Sequence, residues 1–534
     1  MRTTPAKLSD TTLLLLLALV FIALHLATSA PYGFHRDELA TLDDARHLEW
    51  GFVAYPPLTP AVGRLELWLF GVSTLGVRVV PILVLGVVLV FSGLMAREFG
   101  GSRRAQILTA LAVAVVPIVT IQTSVLQYVS FDYLWGVLLT YFVVRLLNSK
   151  RLNAGPLRSA DPAEDLNQED LNQDLNQDLN EEDPRWWIPI GGAIGLGMMT
   201  KYTMAFFVTG LVAAVLVTKL RRHLLIPWLW AGVAISLLIF LPNLIWQSRH
   251  DFISLEFLQH IHTRDVGQGR TRGFLPQQLY VCVSLFLCPL PFMGLWFFFT
   301  ERGRKYRPLG WMFVFTFVLF IIAKARSYYP GPLYPMLFAG GSVLWEQWIA
   351  ARQRTSALVI QGVAWSLVAL GAIVSFALFT PIAPINSALW NATGKIQDNF
   401  KEEIGWTELV ASVAHVYDSI PASEHAGSGI LVGNYGEAGA INLFGPHYKL
   451  PPAISKTNSA WYRSYPTNEP QTLIMVGFDD DFLKENFEHC ELVAHNTNPY
   501  GVVNEESRDH PDIYLCRHLL PSWPEFWQRS HWFG

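Results

Sequence analysis

The sequence has few charged residues and few cysteines for its length. Its 534 residues include only 39 basic and 43 acidic side chains, where a soluble protein of this size would carry roughly 130 charges. Four cysteines, 15% charged and 13% aromatic residues exclude a disulfide-rich secreted scaffold, a collagen-like chain and a wholly disordered chain. A net charge of −4 argues against a nucleic-acid-binding protein. The sequence also has no glycine-rich phosphate cradle and no Walker pattern.

Long apolar segments are present instead, and hydrophobic residues make up 51% of the chain. A membrane-spanning helix needs about 20 such residues. We predict eleven spans, at 12–30, 79–96, 105–122, 126–147, 186–200, 203–218, 224–244, 278–300, 308–323, 331–349 and 356–380. The first segment has an alternative interpretation as a cleavable signal peptide, because it follows Arg2 and Lys7 and ends in small residues. The sequence therefore predicts a polytopic α-helical membrane domain over residues 1–380.

Charge distribution separates the C-terminal part of the chain from the rest. Residues 1–380 hold 30 basic and 24 acidic side chains, and residues 381–534 hold 9 and 19. With a cytoplasmic N-terminus, 19 of the 30 basic residues fall inside, as the positive-inside rule requires. An odd number of spans then predicts an extracytoplasmic tail. Short apolar runs at 429–433 and 472–477 predict buried strands, so residues 385–534 are predicted to form a soluble α/β domain.

Two further features bear on organisation. Residues 161–183 form a short-period repeat with ten acidic residues, which predicts a disordered cytoplasmic insert, with an acidic docking site as the alternative. Cys490 and Cys516 lie in the tail, where an oxidising compartment would permit them to pair. Cys282 and Cys288 fall in an apolar segment and indicate ordinary packing.

Charged residues follow the first span directly, in the run His35-Arg36-Asp37-Glu38. Charges at a membrane surface are costly to hold without a function, although a solvated loop is the alternative. Asp132 opens the fourth span near the same outer face, so Asp37, Glu38 and Asp132 could converge. We therefore treat these three carboxylates as candidate catalytic groups.

Cationic residues lie at outer-face turns as well: Lys201 between two short helices, and Lys324 and Arg326 just before a pair of tyrosines. Each alone is also typical of an ordinary span end. Together, carboxylates and cations on one side suit a reaction in which a base activates a hydroxyl and cations hold a phosphate leaving group.

Several segments, in this order, resemble the GT-C glycosyltransferases of family 39, which include protein O-mannosyltransferases and the lipid A aminoarabinose transferase. The tail segments resemble a bacterial subgroup. The matching segments are Phe34-His-Arg-Asp-Glu-Leu39, Tyr55-Pro-Pro-Leu58, Ser130-Phe-Asp-Tyr133, Met199-Thr-Lys-Tyr202, Tyr328-Tyr-Pro-Gly-Pro-Leu-Tyr-Pro335, Gly433-Asn-Tyr-Gly-Glu-Ala-Gly-Ala440, Leu450-Pro-Pro-Ala-Ile-Ser455 and Asn498-Pro-Tyr-Gly-Val502.

The resemblance implies an inverting transfer of a sugar from a polyprenyl-phosphate carrier at the outer face of a bacterial plasma membrane. It implies that Asp37 is the base or acceptor-orienting group, with Glu38 beside it, and that Asp132 is the second acidic position. The carrier phosphate would be held by Lys201, Lys324, Arg326, Tyr328 and Tyr329. The acceptor stays open between a lipid, a glycan and a protein.

The sequence departs from the family at a suggested metal site. Ala54 and Tyr55 replace an acidic and a basic residue before the Pro-Pro pair. The remaining ligand would lie near His260 or His262, although two histidines two residues apart are more typical of an ordinary polar surface. No cofactor is therefore expected beyond a divalent cation. Alternative functions are a flippase or exporter of a lipid-linked glycan, or a catalytically silent membrane scaffold.

Overall fold

The computed structural model describes residues 8–122, 124–148, 182–529 and 531–534. Apart from residues 182 and 183, the acidic repeat at 161–183 lies outside the described residues. The helices before the tail are α1 Asp10–Thr28, α2 Arg36–Arg46, α3 Leu58–Phe70, α4 Val79–Glu98, α5 Arg103–Ala114, α6 Pro117–Gln122, α7 Tyr128–Asn148, α8 Trp187–Met198, α9 Met204–Val217, α10 Pro227–Arg249, α11 Ile253–Gly267, α12 Phe274–Gln277, α13 Pro289–Phe299, α14 Arg307–Ile322, α15 Tyr334–Ala350 and α16 Arg354–Phe379.

Among the described residues, six helical segments are long and apolar enough to cross a membrane. They are Asp10–Thr28, Gly76–Glu98, Tyr128–Asn148, Pro227–Arg249, Arg304–Ile322 and Arg354–Phe379. Met204–Val217 and Lys219–Leu225 would add a seventh as a single bent span, with a bend of 100°. The prediction of a multi-pass helical membrane protein is confirmed, while the count of eleven spans stays a prediction.

Proline explains why some predicted spans become shorter helices. Pro117 begins α6 and divides the predicted span 105–122, and Pro289 begins α13 within the predicted span 278–300. Proline suits the first turn of a helix because its missing N–H would have no partner there. The loop before α7, the break between α8 and α9, and the turn after α14 all contribute to one cavity.

The tail forms a small α/β unit around one mixed sheet. Its strands are β1 Ser428–Val432, β2 Ala453–Ser455, β3 Thr472–Val476, β4 Phe487–His495 and β5 Asp512–Leu519. Their spatial order is β2-β1-β3-β5-β4; β1 is parallel to β2 and β3, and β5 is antiparallel to β3 and β4. Both strands predicted from the sequence are confirmed as β1 and β3, which are buried along their whole length, as expected of parallel strands covered on both faces. The tail helices are α17 Ala388–Thr393, α18 Trp406–Ser419, α19 Tyr435–Phe444, α20 Asp480–Asn486, α21 Glu505–Asp509 and α22 Trp523–Gln528.

The tail and the membrane part pack closely through α2 and α19. Leu39 of α2 and Ala438 of α19 belong to the same buried hydrophobic cluster. Gly439 lets the two backbones approach, because a Cβ there would lie only 2.4 Å from the carbonyl oxygen of Leu39. The motif Gly433 to Ala440, which carried part of the sequence resemblance, therefore has a packing role at this junction.

Candidate active site

A cavity of about 700 Å³ lies between the membrane helices and the tail. The predicted residues that line it are Asp37, Lys201, Lys324, Arg326, Tyr328, Tyr329 and His262. Glu38, Asp132 and His260 are not part of its wall. The structure thus brings most of the predicted polar residues together and separates three of them from the cavity.

Asp37 lies in the first turn of α2, where a helix N-terminus favours negative charge. Each of its carboxylate oxygens accepts one hydrogen bond from a neutral donor. The Tyr435 hydroxyl donates to Oδ1 at 3.1 Å, and the Gln127 amide donates to Oδ2 at 2.7 Å. Arg36 Nε also lies 3.8 Å from Oδ1, and the Asp37 side chain remains 36% exposed, so the carboxylate still has lone pairs available to a substrate.

Glu38, the neighbouring residue, is fully buried behind the cavity and has all its hydrogen-bonding capacity used. Arg78 donates to Glu38 from Nε at 2.9 Å and from Nη2 at 2.5 Å, and the backbone N–H groups of His35 and Leu126 donate at 2.8 and 2.9 Å. Arg78 also lies 3.3 Å from Glu403 of the tail. This geometry gives Glu38 a structural role in joining α2 to its neighbours, so of these two adjacent carboxylates Asp37 is the one at the cavity.

Lys201 is a buried cation surrounded by three tyrosine rings. Its Nζ lies 5.0, 4.9 and 4.3 Å from the ring centroids of Tyr128, Tyr328 and Tyr329. Asp132 is its counterion at 3.8 Å, while Thr203 donates to the same carboxylate oxygen at 3.2 Å. Lys201 lines the cavity, whereas Asp132 does not, so the predicted second carboxylate contacts the lysine and not the cavity.

Lys324 and Arg326 differ in how their charges are used. Arg326 makes a bidentate contact with Asp265, at 2.5 and 2.7 Å, and Arg270 lies 3.8 Å from the same carboxylate. Lys324 is exposed at the cavity and forms no ion pair with any described residue. Its backbone is left-handed, with φ +45°, at the end of α14, a position that glycine usually fills. With no described carboxylate bound to it, Lys324 is therefore available to an anionic ligand.

The tail supplies part of the cavity wall through Arg463, which binds two neighbouring carboxylates of α2. Its guanidinium lies 2.5 Å from Asp43 and 2.7 Å from Asp44. Tyr55 also donates to Asp44 at 2.8 Å. Burial raises the pKa of Asp44 to about 7, and the charge of Arg463 opposes that rise only in part. This contact therefore couples the junction between the two parts of the chain to pH.

The two histidines considered as metal ligands have different surroundings. His262 lines the cavity, whereas the ring of His260 lies 5.5 Å from that of Phe533. Ala54, at the place of the family's acidic residue, offers no side-chain ligand atom. Within the described ranges, no group of three or more His, Cys, Asp or Glu side chains could hold a metal ion. The described residues do not fit a dedicated centre, and a divalent cation stays a prediction.

Sequence reasoning missed the residues that position the predicted ones. Gln127 and Tyr435 hold Asp37, yet they are 90 and 398 residues away from it along the chain. Arg264 and Arg270 also line the cavity, close to Arg326 and Asp265. The sequence does contain a signal for these two arginines. They belong to a basic stretch, 264–272, in a predicted outer loop on the same side of the membrane as Lys324.

Chemically, the cavity combines a carboxylate held by hydrogen bonds, a lysine with no ion pair to a described residue, and a buried lysine. A carboxylate within hydrogen-bond reach of a hydroxyl can act as a general base. Cations aimed at an oxygen on which charge develops can stabilise a leaving phosphate. The wall also has apolar side chains that suit a hydrocarbon: Phe206, Phe257, Leu258, Ile261 and Ala323. The site is therefore suited to an amphipathic phosphate ester.

A family model described as dolichyl-phosphate-mannose-protein mannosyltransferase matches residues 177–246 of the chain. That stretch includes Lys201 and the break between α8 and α9. No curated protein matches the chain significantly.

Two solved structures are similar to nearly the whole chain. ArnT from Cupriavidus metallidurans, bound to undecaprenyl phosphate, aligns with a TM-score of 0.54 at 16% identity and covers 95% of this chain and 97% of that one. The arabinofuranosyltransferase AftD from Mycobacteria aligns with a TM-score of 0.52 at 13% identity and covers 97% of this chain and 40% of that one. At these identities the likeness concerns the fold. The resemblance to GT-C glycosyltransferases is thereby confirmed as a shared fold.

Proposed function

We propose that this multi-pass membrane protein transfers a sugar from a polyprenyl-phosphate carrier to an acceptor hydroxyl or amine. The observation that carries the proposal is one cavity that is lined both by Asp37, held and partly exposed, and by Lys324, which forms no ion pair with a described residue. The matched mannosyltransferase model and the fold shared with a structure bound to undecaprenyl phosphate support the same class of donor.

In this reaction Asp37 accepts the proton of the acceptor as its oxygen or nitrogen attacks the anomeric carbon of the sugar. The bond from that carbon to the phosphate oxygen breaks, and the polyprenyl phosphate leaves with the electron pair. The hydrogen bonds from Gln127 and Tyr435 fix the carboxylate so that little reorganisation is needed. A single displacement of this kind inverts the anomeric configuration.

Lys324 and Lys201 stabilise the departing phosphate. Lys324 can bind it directly, because no described carboxylate competes for its charge. Lys201 adds a second positive charge, which the tyrosine rings and Asp132 hold in place. Arg326 already forms an ion pair with Asp265, so it stabilises the departing phosphate less than the two lysines do. The isoprenoid chain would follow the apolar wall toward the lipid.

We assign the site to the outer face of a bacterial plasma membrane. The positive-inside distribution of basic residues supports that side. Cys490 and Cys516 are paired between β4 and β5, and such a disulfide is typical of an oxidising compartment. The tail would then be extracytoplasmic and would meet the acceptor outside the cell.

The experiment is to incubate the purified full-length protein with a panel of polyprenyl-phosphate sugars and an envelope membrane extract. Transfer predicts a product heavier by one sugar residue, together with free polyprenyl phosphate, both measured by mass spectrometry. A parallel assay in sealed vesicles follows movement of the same labelled sugar lipids. Movement across the bilayer without a covalent product would overturn transfer in favour of a flippase.

A further inference from the structure

Arg36 directly precedes Asp37, and its guanidinium lies beside three carboxylates of the tail. Its Nη1 is 2.5 Å from Glu505, 3.0 Å from Glu506 and 3.8 Å from Glu402. Glu505 and Glu506 belong to α21, and Glu402 lies in a short turn before α18. The arginine side chain is 18% exposed and that of Glu506 is 3% exposed, so solvent and salt screen these ion pairs only weakly.

The same guanidinium is close to Asp37 but does not form a hydrogen bond with it. Arg36 Nε lies 3.8 Å from Asp37 Oδ1, whereas a hydrogen bond between an ionised nitrogen donor and a carboxylate is about 2.7–2.9 Å long. This Nε is buried and has no hydrogen-bond partner in the described part of the chain. The closest ionic contacts of Arg36 are therefore with the tail, and one N–H remains near the proposed base.

Helix α19 of the tail holds the Arg36 side chain in place. Gly436 leaves room for it, because a Cβ at this position would lie only 2.5 Å from Arg36 Cγ. The guanidinium Cζ lies 5.4 Å from the centroid of the Tyr435 ring, and the hydroxyl of the same tyrosine donates to Asp37. The tail thus fixes both the arginine and one hydrogen-bond donor of the base.

The separation between Arg36 and Asp37 matters for proton transfer. A guanidinium bound directly to a carboxylate favours its ionised form and occupies its lone pairs, which makes the carboxylate a weaker base. A general base must keep a lone pair within reach of the proton that it takes. The tail carboxylates compete with Asp37 for Arg36, and in this structure they hold the guanidinium.

We infer that Arg36 is a positioning residue, and that Glu505 and Glu506 of the tail hold its charge away from Asp37 so that this carboxylate is free to take a proton. The inference rests on the proposed function and gives the tail a part in it. Docking of the tail would then complete the base as well as the cavity wall.

Other titratable and charged groups near Asp37 stay unchanged in the test. Those that interact with it electrostatically are His35, Tyr55, Tyr128 and Tyr435. The charged residues that share its cavity on neighbouring elements are Lys201, Arg264, Asp265, Arg270, Lys324 and Arg326. A change in the pH dependence of turnover would therefore report on the position of Arg36.

The double variant Glu505→Gln with Glu506→Gln, made in the full-length protein, removes the two closest partners of Arg36. We expect the guanidinium to bind Asp37 instead, and kcat for sugar transfer to fall about tenfold with little change in donor KM. The acidic limb of the plot of kcat against pH should move to lower pH by about one pH unit, because a neighbouring arginine favours the ionised carboxylate. Glu505→Gln alone, at the more exposed carboxylate, should move it less in the same direction and carries the test if the double variant does not fold.

A triple variant separates this role from packing. Adding Arg36→Met to the double variant keeps an apolar stem and removes the competing charge, so most of the turnover should return. The matched control is Glu485→Gln with Glu488→Gln, which removes two charges from exposed positions of the tail outside the cavity wall. This control should keep the turnover and the pH profile of the wild type.

Full turnover in the double variant, or a fall in kcat with an unchanged pH profile, would overturn the inference. A triple variant as slow as the double variant would overturn it too, because the tail carboxylates would then have only a packing role. A wild-type protein that transfers no sugar would instead contradict the proposed function, so the two failures are distinguishable.

Discussion

Two groups at the cavity wall, Asp37 and Lys324, differ from the buried charge cluster behind it in how far their charges are partnered. Behind the wall, Glu38 accepts four N–H donors, and Arg78 binds both Glu38 and Glu403. At the wall, Asp37 accepts two neutral donors and Lys324 has no ion pair with a described residue. Charges with complete partners hold the fold, and charges with incomplete partners are available to a substrate.

The comparison also separates adjacent residues of one helix. Asp37 and Glu38 point to different surroundings because successive residues of a helix lie about 100° apart around its axis. One carboxylate therefore faces the cavity while its neighbour faces the packed interior. Sequence adjacency made them look like one acidic pair, but they have different roles.

The largest effect should come from breaking the buried cluster. Glu38→Gln leaves Arg78 buried with an incomplete set of anionic partners, and breaking such a pair costs about 3–5 kcal/mol of stability. We expect a large fall in melting temperature and in yield, measured by thermal unfolding in detergent. Glu485→Gln, an exposed change on α20, serves as the control. A Glu38 variant as stable as the wild type would remove the distinction between the two regions.

At the wall, Lys324→Ala should weaken donor binding without unfolding the protein. A charged contact is worth about 1.5–3 kcal/mol, which corresponds to a rise of roughly 10- to 100-fold in donor KM. Lys305→Ala, at the other end of α14 and away from the cavity, is the matched control. Asp132→Asn should have a smaller effect on donor KM, because Asp132 acts only through Lys201. Equal effects of the two variants would leave the phosphate assignment unsupported.

The hydrogen bond from Tyr435 of the tail to Asp37 predicts a smaller change in activity. Tyr435→Phe removes the hydroxyl that donates to Asp37, so Asp37 should be less well positioned. We expect kcat to fall by roughly tenfold with little change in donor KM, as for the loss of one hydrogen bond to a charged group. Tyr448→Phe, an exposed tyrosine of the tail, controls for a change in the tail itself. A change confined to donor KM would indicate that Tyr435 binds the donor instead.

The smallest effect concerns pH at the junction. The pKa of Asp44 is about 7 in the folded protein because of burial, above its ordinary value of about 3.9. A raised pKa stabilises the folded state fully below about pH 4, and this stabilisation is lost as the pH rises through 7. The melting temperature should therefore fall as the pH rises from about 5 to about 8. Asp44→Asn should reduce that fall. Asp418→Asn, at an exposed position, should leave the slope as it is.

Local patterns were enough to predict a multi-pass helical membrane protein, strands β1 and β3, and seven of the residues that line the cavity. Apolar segments and the order of the motifs around Asp37, Lys201 and Tyr328 depend on short stretches of chain. The buried role of Glu38 could not be predicted, because it depends on Arg78, forty residues away, and on Glu403 of the tail. The shorter helices begin at Pro117 and Pro289, inside two of the predicted spans.

The contrast between Asp37→Asn and Glu38→Gln tests the account most directly, with turnover and melting temperature measured on both proteins. We predict that Asp37→Asn keeps its melting temperature and its binding of the sugar lipid but loses transfer by roughly 100- to 10,000-fold, the range for removal of a general base. Full turnover by Asp37→Asn would contradict the account, because the Asp37 carboxylate would then not be the group that takes the proton.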